Sequence, residues 1–587
     1  MRFSSLVEYF EKLEKTSSKK AMIQTLASLL KKATASNIDI VCYFALGEVA
    51  AEYENLQLGI GTEIAKSAVS LALETDKTEV ENQLKELGDL GTVASKINKE
   101  PKKKIEDFSS KENISVNGLH KEFLKIARAK GPGSQDFKKK SLANILAGAT
   151  PDERKYIIRL ALGNMRFGVA DMTLLDALAV AFLGSKQKRA PLEEAYNFCS
   201  DIGYVAKILA GNGLSGVKHI QISLGKPIQP MLAQRVSKLS EITEHMKSEE
   251  IAAEEKYDGE RIQAHKNRDS VKLFSRRLTD VTDQFPIIVD QVREQILAKK
   301  VILDGEIVAY NFEKEAFDSF QKLMQRKRKY NVEEFAEKSP VKYMLFDVLY
   351  VDGKSCVKTS YPQRRSKLEK IVENNKRIAI ASRVVSTQIE EIDDFFQDCL
   401  ERGLEGIMCK STADGSYYQA GGRGWFWIKW KPSYSSELTD TLDLVVVGAY
   451  AGKGKRGGTY GALLCAAYNR SEDVFQTVCK LGSGFSDKQL FSLPKKLEDT
   501  KVGEKPARVA VNKEMFPDYW FAPKYVVEVL GSEVTQSPVH TCNWHTEEKR
   551  GLSLRFPRFK RWRGEKSPEQ ATSVSEVVDM FRRSIKR

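Results

Sequence analysis

The run Glu254-Glu255-Lys256-Tyr257-Asp258-Gly259-Glu260-Arg261-Ile262-Gln263-Ala264-His265 sets an Asp-Gly pair between two alternating segments. Such a pair predicts a two-residue hairpin turn, because that turn needs positive φ at both central positions, which Asp tolerates and Gly adopts freely. With Asp258-Gly259 as the turn, Tyr257 is expected opposite Glu260 and Lys256 opposite Arg261. Alternation puts Glu254 and Lys256 on one face, so a carboxylate, an amine and a guanidinium converge on one sheet surface. A charged surface hairpin is one reading. The other makes Lys256 a nucleophile. A lysine with an ordinary pKa of about 10.4 is protonated at neutral pH, and nearby cations or a bound metal ion would free its lone pair. Arg261, always charged, would lower the lysine pKa and offer a fork of donors to a phosphate or ribose. Lys-x-Asp-Gly alone does not decide between the two.

Working outward, the 587 residues leave room for roughly three to five domains. A formal charge of +14 points to an anionic partner, with nucleic acid the first candidate. Met1 to Glu14 carries scattered charges, so no signal peptide is expected, and no apolar run reaches the eighteen or so residues that span a bilayer. An intracellular, cytoplasmic protein without a membrane partner is expected. The 8 cysteines are scattered with no Cys-x-x-Cys pair, which supports neither a disulfide framework nor a four-cysteine zinc site. His540-Thr541-Cys542-Asn543-Trp544-His545 gathers three potential ligands in a spacing that fits no common zinc pattern.

From the start to about residue 220 the apolar pattern is helical. Leu6, Tyr9, Phe10 and Leu13 recur at i, i+3, i+4 and i+7, and Met22, Leu26, Leu29 and Leu30 form a second stripe. Two loops here suit phosphate contacts, since a helix N-terminus offers unpaired N–H groups and a positive dipole end. They are Gly131-Pro132-Gly133-Ser134 running into Lys138-Lys139-Lys140, and Gly163-Asn164-Met165-Arg166-Phe167-Gly168 before a helix expected near Asp171. Capped turns with solvated helix faces are the alternative. The prolines of Gly225-Lys226-Pro227-Ile228-Gln229-Pro230 then end the helical texture and strand-like runs begin.

In this second region Asp304-Gly305 reads as a tight turn that leaves Glu306 at the start of a strand. Val341 to Val351 is an almost continuous apolar strand holding Phe346 and a lone charge, Asp347, which must be paired or bound. Glu405 leads a short strand, and alternation over Arg423 to Lys431 sets Trp427, Lys429 and Lys431 on one face, where the two lysines make sense beside a polyanion. Near Leu438 the texture shifts to short strands with glycine-rich turns, including the basic loop Gly452 to Gly458 with Lys453 and Lys455. A small oligonucleotide-binding barrel is the natural guess. The arginine-rich segment Lys549 to Lys566 and an amphipathic helix through Val574, Val577, Val578 and Phe581 close the chain.

Taken in order, Lys256-Tyr257-Asp258-Gly259-Glu260-Arg261, Ser275-Arg276-Arg277, Leu303-Asp304-Gly305-Glu306, Phe346-Asp347, Glu405-Gly406 and Trp427-Ile428-Lys429-Trp430-Lys431 resemble the motifs of the covalent nucleotidyltransferases, the superfamily of DNA ligases and messenger-RNA capping enzymes. The flanks are similar to the ATP-dependent DNA ligases of archaea and the replicative ligase of eukaryotes. Gly88-Asp89-Leu90-Gly91-Thr92-Val93-Ala94 and the two loops resemble that family's helical DNA-binding domain. Leu554-Arg555-Phe556-Pro557-Arg558-Phe559 with Pro568-Glu569-Gln570-Ala571-Thr572 resembles its carboxy-terminal motif. The resemblance covers essentially the whole chain. It implies a multi-domain fold: an all-α DNA-binding domain over 1–222, a central α+β nucleotidyltransferase (adenylation) domain over 223–437, and a C-terminal OB-fold β-barrel over 438–587.

The resemblance also implies a reaction in three steps: lysine attack on the α-phosphate of ATP, transfer of AMP to the 5′-phosphate of a nick, and sealing by the 3′-hydroxyl, in replication, repair and recombination. Carried over residue by residue, Lys256 is the nucleophile and Glu254 a base contact. Arg261 and Arg276 contact the nucleotide sugar and the nick phosphate, Glu306 binds ribose or metal, and Phe346 stacks on adenine. Glu405 helps hold magnesium, and Arg423, Trp427, Lys429 and Lys431 complete the nucleotide site. Arg555 and Arg558 close over ATP, while Ser134, Lys138, Arg166, Lys453 and Lys455 contact DNA. The implied cofactors are ATP and Mg2+ or Mn2+, and the implied partner is nicked double-stranded DNA bound by a monomer, around the nucleoid or, in a eukaryote, in the nucleus.

The absence of a long extension before the helices favours the compact archaeal form, and Gly424-Trp425-Phe426 is more aromatic than the family leads one to expect. Ile105-Glu106-Asp107-Phe108 is at best a degenerate box for a sliding clamp. A capping guanylyltransferase or RNA ligase would share the central motifs without needing the helical region. A DNA-binding scaffold could have lost the lysine and carboxylates, and an NAD-dependent ligase would be expected to carry a four-cysteine zinc module.

Overall fold

The computed structural model describes residues 1–16, 18–97, 114–236, 238–246, 248–318, 322–323, 340–431, 441–452, 456–531 and 533–585. The clamp-box candidate Ile105 to Phe108 and the two lysines Lys453 and Lys455 lie outside the described residues. The chain divides into two compact units, Met1–Gly61 with Asp107–Ser141 and Leu160–Ser435, and Thr62–Glu106 with Leu142–Arg159 and Ser436–Arg587.

In the first unit the amphipathic stripes become helices. Phe3–Glu14 buries Leu6, Tyr9, Phe10 and Leu13, and Lys19–Lys32 buries Met22, Leu26, Leu29 and Leu30. The second starts at Ser18, whose hydroxyl accepts the Ala21 N–H, and ends with Lys31 and Lys32 at the negative end of its dipole. The helix expected near Asp171 runs Asp171–Leu183. Asp201, the N-cap of helix Ile202–Lys218, accepts the Tyr204 N–H at 2.8 Å and the hydroxyls of Tyr43 and Tyr53 at 2.8 and 3.1 Å, so one carboxylate fastens three segments.

The strands that follow are β1 (Leu232–Arg235), β2 (Ile251–Lys256), β3 (Glu260–Asn267), β4 (Ser270–Ser275), β5 (Lys300–Asn311), β6 (Ala316–Phe317), β7 (Val341–Val351), β8 (Lys354–Ser355), β9 (Ile378–Ile380), β10 (Arg383–Ser386), β11 (Gly406–Ser411) and β12 (Arg423–Trp430). They form two sheets. One has the order β1-β12-β11-β2-β10; the other runs β4-β3-β5-β7-β8, with β6 on β5 and β9 on β7. Behind the second sheet, helix Pro286–Gln295 and helix Tyr361–Ile371 cover Ile262, Leu303, Ile307, Tyr343 and Leu345. Helix Ile389–Glu401 covers the first through Ile392, Phe396 and Cys399, against Ile407, Cys409 and Ile428. The lone charge on β7 is paired as its burial requires: Asp347 takes Arg364 Nε and Nη2 at 2.7 and 3.0 Å, with both side chains almost wholly out of solvent.

The expected hairpin does not form. β2 sits between β11 and β10, and β3 sits between β4 and β5, so the two strands belong to different sheets. Lys256 lies opposite Gly406 and Arg261 opposite Glu306, rather than opposite each other, and Tyr257 does not face Glu260, which lies opposite Ile307. Asp258-Gly259 is the crossing between sheets, and neither residue enters the left-handed region. Glycine is needed there because a Cβ would collide with the Ile307 carbonyl. Asp304-Gly305 is likewise no turn, since β5 runs through it; a Cβ at Gly305 would lie 2.6 Å from the Tyr343 ring and 2.7 Å from the Met344 carbonyl oxygen, so glycine lets β5 and β7 approach. A local Asp-Gly signal reports a need for glycine, and long-range sheet pairing decided which need.

In the second unit, Asp89 caps helix Leu90–Lys96 and pairs with Arg159 at 2.7 Å in the interior. Its sheets contain the runs read as strands: β13 (Leu442–Ala451), β14 (Tyr460–Asn469), β15 (Val474–Leu481), then β16 (Lys501–Val502), β17 (Val509–Ala510), β18 (Tyr519–Phe521) and β19 (Val526–Leu530). β20 (Glu533–Ser537), β21 (Cys542–His545), β22 (Arg550–Arg555) and β23 (Arg558–Trp562) complete them. One sheet has the order β16-β18-β13-β14-β15-β17 with β19 joining β13 to β23; β20-β22-β21 form a three-stranded sheet. Helix Val574–Ile585 packs Val574 and Val577 into this core beside Leu552, Leu554 and Phe559.

Candidate active site

The chemistry-bearing residues collect where the two sheets of the first unit face each other. Gly406 pairs with Lys256, while Met408 pairs with both Glu254 and Lys429. Strand alternation therefore lines Glu254, Lys256, Lys410, Trp427 and Lys429 on one face. From the other sheet, Arg261 comes over this face with its guanidinium carbon 5.5 Å from the ring centres of both Phe346 and Trp427. Phe346 meets Trp427 edge-on at 6.0 Å.

Lys256 is largely buried, and its ammonium contacts Glu405, which also contacts Lys431. Burial holds the lysine below its ordinary pKa; Arg276 and Arg261 push the same way, against Glu306 and Asp258. Lys429 is lowered too, by burial and then by Lys256, Arg276, Arg423 and Arg235. Arg276 and Arg423 are themselves exposed. Burial pushes the Glu306 carboxyl up to about 7 despite Lys256 and Arg261. The arrangement sets an amine and Lys431 on the one carboxylate of Glu405, with further cations around them, and this excess of positive charge is suited to a polyphosphate.

Arg261 does not offer the expected fork. Its Nε and Nη2 grip Asp304 at 3.0 and 2.7 Å, Nη2 also donates to the Tyr418 hydroxyl at 3.1 Å, and Nη1 donates to the Met231 carbonyl at 2.7 Å. A buried guanidinium needs a bidentate counter-charge, and Asp304 is that partner. Four of its five N–H donors are spent, leaving one on Nη1. Glu254 is also occupied: Tyr361, Arg365 and Lys410 reach its carboxylate at 2.5, 3.1 and 2.6 Å, so its side chain is committed to the interior.

Among the described residues no three His, Cys, Asp or Glu side chains could cage a metal ion. Two carboxylates near the amine, Glu306 and Glu405, nevertheless fit magnesium, which commonly takes one or two carboxylates and the rest of its ligands from phosphates and water. The remaining candidates lie elsewhere. Ser134 opens helix Ser134–Ala147, Arg166 holds positive φ in its loop, and Lys138 donates to the Leu58 carbonyl at 2.7 Å, which ties it to the fold. Arg555 and Arg558 flank the Phe556-Pro557 turn between β22 and β23 in the second unit.

Sequence reasoning missed Asp304, Tyr418, Lys410, Arg364 and Arg365 as parts of the site. Asp304 carried the same signal as Asp347, a charge inside an apolar run, but was read as a turn. Arg364 is 17 residues from Asp347, Arg365 is 111 from Glu254 and Tyr418 is 157 from Arg261, and nothing local marks them.

Comparison with known proteins adds three matches along the chain. Residues 2–179 match the family described as DNA ligase N terminus, 230–431 the ATP dependent DNA ligase domain, and 456–566 the ATP dependent DNA ligase C terminal region. The chain is 44% identical to DNA ligase 2 of Thermofilum pendens over 99% of its length and 97% of that protein. It is 43% identical to DNA ligase 1 of Methanosarcina mazei, covering 99% of each, and 43% identical to the DNA ligase of Sulfurisphaera tokodaii, covering 100% and 98%. Among solved structures, Pmar-Lig_PreS3 shares the fold with a TM-score of 0.53 at 18% identity, over 95% of this chain and 99% of that one.

Proposed function

Because the chain belongs to the ATP-dependent DNA ligase family and is a DNA ligase that seals nicks through adenylation, we propose how its residues divide that work. Lys256 attacks the α-phosphate of ATP through its lone pair, pyrophosphate leaves, and AMP is held on Nζ. The observation that carries this is the Lys256 amine set on the face that Trp427 and Lys429 share, with Arg261 coming over that face from the other sheet; burial, Arg276 and Arg261 hold its pKa below the ordinary value. Phe346 and Trp427 wall the adenine, Glu254 fixes the β2 backbone beside it, and the remaining Nη1 donor of Arg261 meets the ribose. Arg423, Lys429 and Lys431 neutralise charge as it moves to the leaving group. Glu405 and Glu306 would hold a magnesium ion, which would supply Lewis-acid polarisation of the phosphates. Arg276 then receives the 5′-phosphate of the nick, and Ser134, Lys138, Arg166, Lys453 and Lys455 grip the duplex backbone.

Arg555 and Arg558 serve the first step by orienting pyrophosphate. The functional regions are 1–222 for DNA, 223–437 for adenylation and 438–587 for closure and DNA. No helix among the described residues is long and apolar enough to cross a membrane, and the protein acts as a monomer on nicked duplex DNA in the compartment that holds the chromosome. Separate incubations with α-labelled ATP, GTP and NAD, each followed by nicked duplex, test the reading. ATP alone should give an acid-labile protein adduct that is chased into sealed DNA. GMP transfer to RNA ends instead would favour the guanylyltransferase alternative.

A further inference from the structure

We infer that Tyr418 is a positioning residue for nucleotide transfer: with Asp304 and the Met231 peptide it fixes the Arg261 guanidinium so that one donor, on Nη1, is left for the nucleotide. This rests on the reading of Arg261 as a nucleotide contact. The Tyr418 hydroxyl has one proton and two lone pairs, and all three are used. It donates to Asp304 Oδ2 at 2.9 Å and accepts the Met231 N–H at 3.0 Å and an Arg261 Nη2–H at 3.1 Å. Met231 closes the ring from its other side, because its carbonyl takes Arg261 Nη1 at 2.7 Å. The guanidinium is thus held on one edge by Asp304 and at both outer nitrogens by groups that Tyr418 links together.

The tyrosine is itself enclosed. It is 2% exposed, its ring meets Trp427 edge-on at 5.8 Å and 88°, and its backbone N–H donates to Val357 at 3.0 Å. The loop that carries it is stitched to the segment before β1, with Gly421 N–H on the Gln229 carbonyl at 3.1 Å and Leu232 N–H on the Gly422 carbonyl at 2.9 Å. Burial next to Asp304 holds the phenol well above its ordinary pKa, so the donated proton stays in place across the working range. The hydroxyl, with the Met231 carbonyl, adds points of attachment beyond the edge that Asp304 grips, so the guanidinium is held from both outer nitrogens.

The test measures self-adenylylation against ATP concentration in the wild type, Tyr418→Phe, Arg261→Lys and the double variant, with thermal unfolding of each. Arg261→Lys keeps a charge against Asp304 and loses the fork. Tyr418→Phe should raise KM for ATP about tenfold with kcat changed much less, and the double variant should be no worse than Arg261→Lys, because both changes break one unit. Normal KM in Tyr418→Phe beside an impaired Arg261→Lys would overturn the inference, as would multiplying effects in the double variant. A Tyr418→Phe protein that does not fold would assign the hydroxyl to the fold and overturn it as well. Normal kinetics in Arg261→Lys would remove the nucleotide role of Arg261 itself, and the positioning role would fall with it.

Discussion

Lys410 Nζ lies 2.6 Å from Glu254 Oε2, and each side chain is 1% exposed. The same ammonium donates to the Phe346 carbonyl at 2.9 Å and lies 4.5 Å from the centre of the Trp427 ring. Glu254 and Lys410 therefore form the floor beneath the two aromatic rings proposed to wall the adenine.

Removing one partner leaves the other charged and buried, which typically costs about 3–5 kcal/mol. Glu254→Ala strands Lys410, while Arg365 keeps Glu369 at 2.7 Å, so we expect a loss of about that size. Pairing Glu254→Leu with Lys410→Met should cost less than the sum of the single changes. Denaturant unfolding of the wild type, Glu254→Ala, the two single variants of the pair and the double variant checks this; additive costs would show that the two side chains do not act as a pair.

The pH profile of self-adenylylation follows from the charges around Lys256. The rate should rise with pH as the ammonium loses its proton. Arg276 lowers that pKa and Glu306 raises it, so Arg276→Ala should move the rising limb to higher pH and Glu306→Gln to lower pH. Glu306 also affects stability, because its folded value of about 7 stands above its ordinary 4.5. A raised carboxyl favours the fold at low pH, and that contribution is lost as pH rises through the folded value. Glu306→Gln should therefore gain stability on the wild type between about pH 5 and pH 8, by roughly 2 kcal/mol. Unchanged limbs in both variants would contradict the electrostatic account.

Arg555 pairs with Glu533 at 2.8 Å on an open surface, with about half of each side chain in solvent. Such pairs contribute roughly 0–1 kcal/mol, so Arg555→Ala with Arg558→Ala should leave the fold intact. Cutting the chain before Gly551 would instead remove β22, β23 and the last helix, which bury Leu552, Leu554, Phe559, Val574 and Val577. The double point variant should lose most self-adenylylation and retain sealing of a nick that already carries 5′-AMP. Normal self-adenylylation beside lost sealing of the adenylylated nick would make these arginines DNA contacts rather than closing residues.

The strands and helices were legible where burial writes a local pattern. β7 stands over the apolar run Val341 to Val351, the helix at Asp171 begins where its loop ends, and the β11–β12 pairing keeps Trp427 and Lys429 on one face as alternation required. What could not be read was partnership. Lys256 and Arg261 are five residues apart and sit in different sheets, because β2 is paired between β10 and β11 and β3 between β4 and β5. Arg261 was read as a donor to substrate, and only the fold reveals that Asp304 and Tyr418 have claimed its fork. Lys138, read as a phosphate contact, also ties down the Leu58 carbonyl across eighty residues.

The central claim is that Lys256 carries AMP. Peptide mapping by mass spectrometry after incubation with ATP and magnesium should find AMP on Lys256 in the wild type and nowhere in Lys256→Arg, which keeps the charge and has no lone pair to give. Lys256→Arg should still bind nicked duplex, since the basic surfaces remain. AMP attached to any residue of the Lys256→Arg protein would contradict the account.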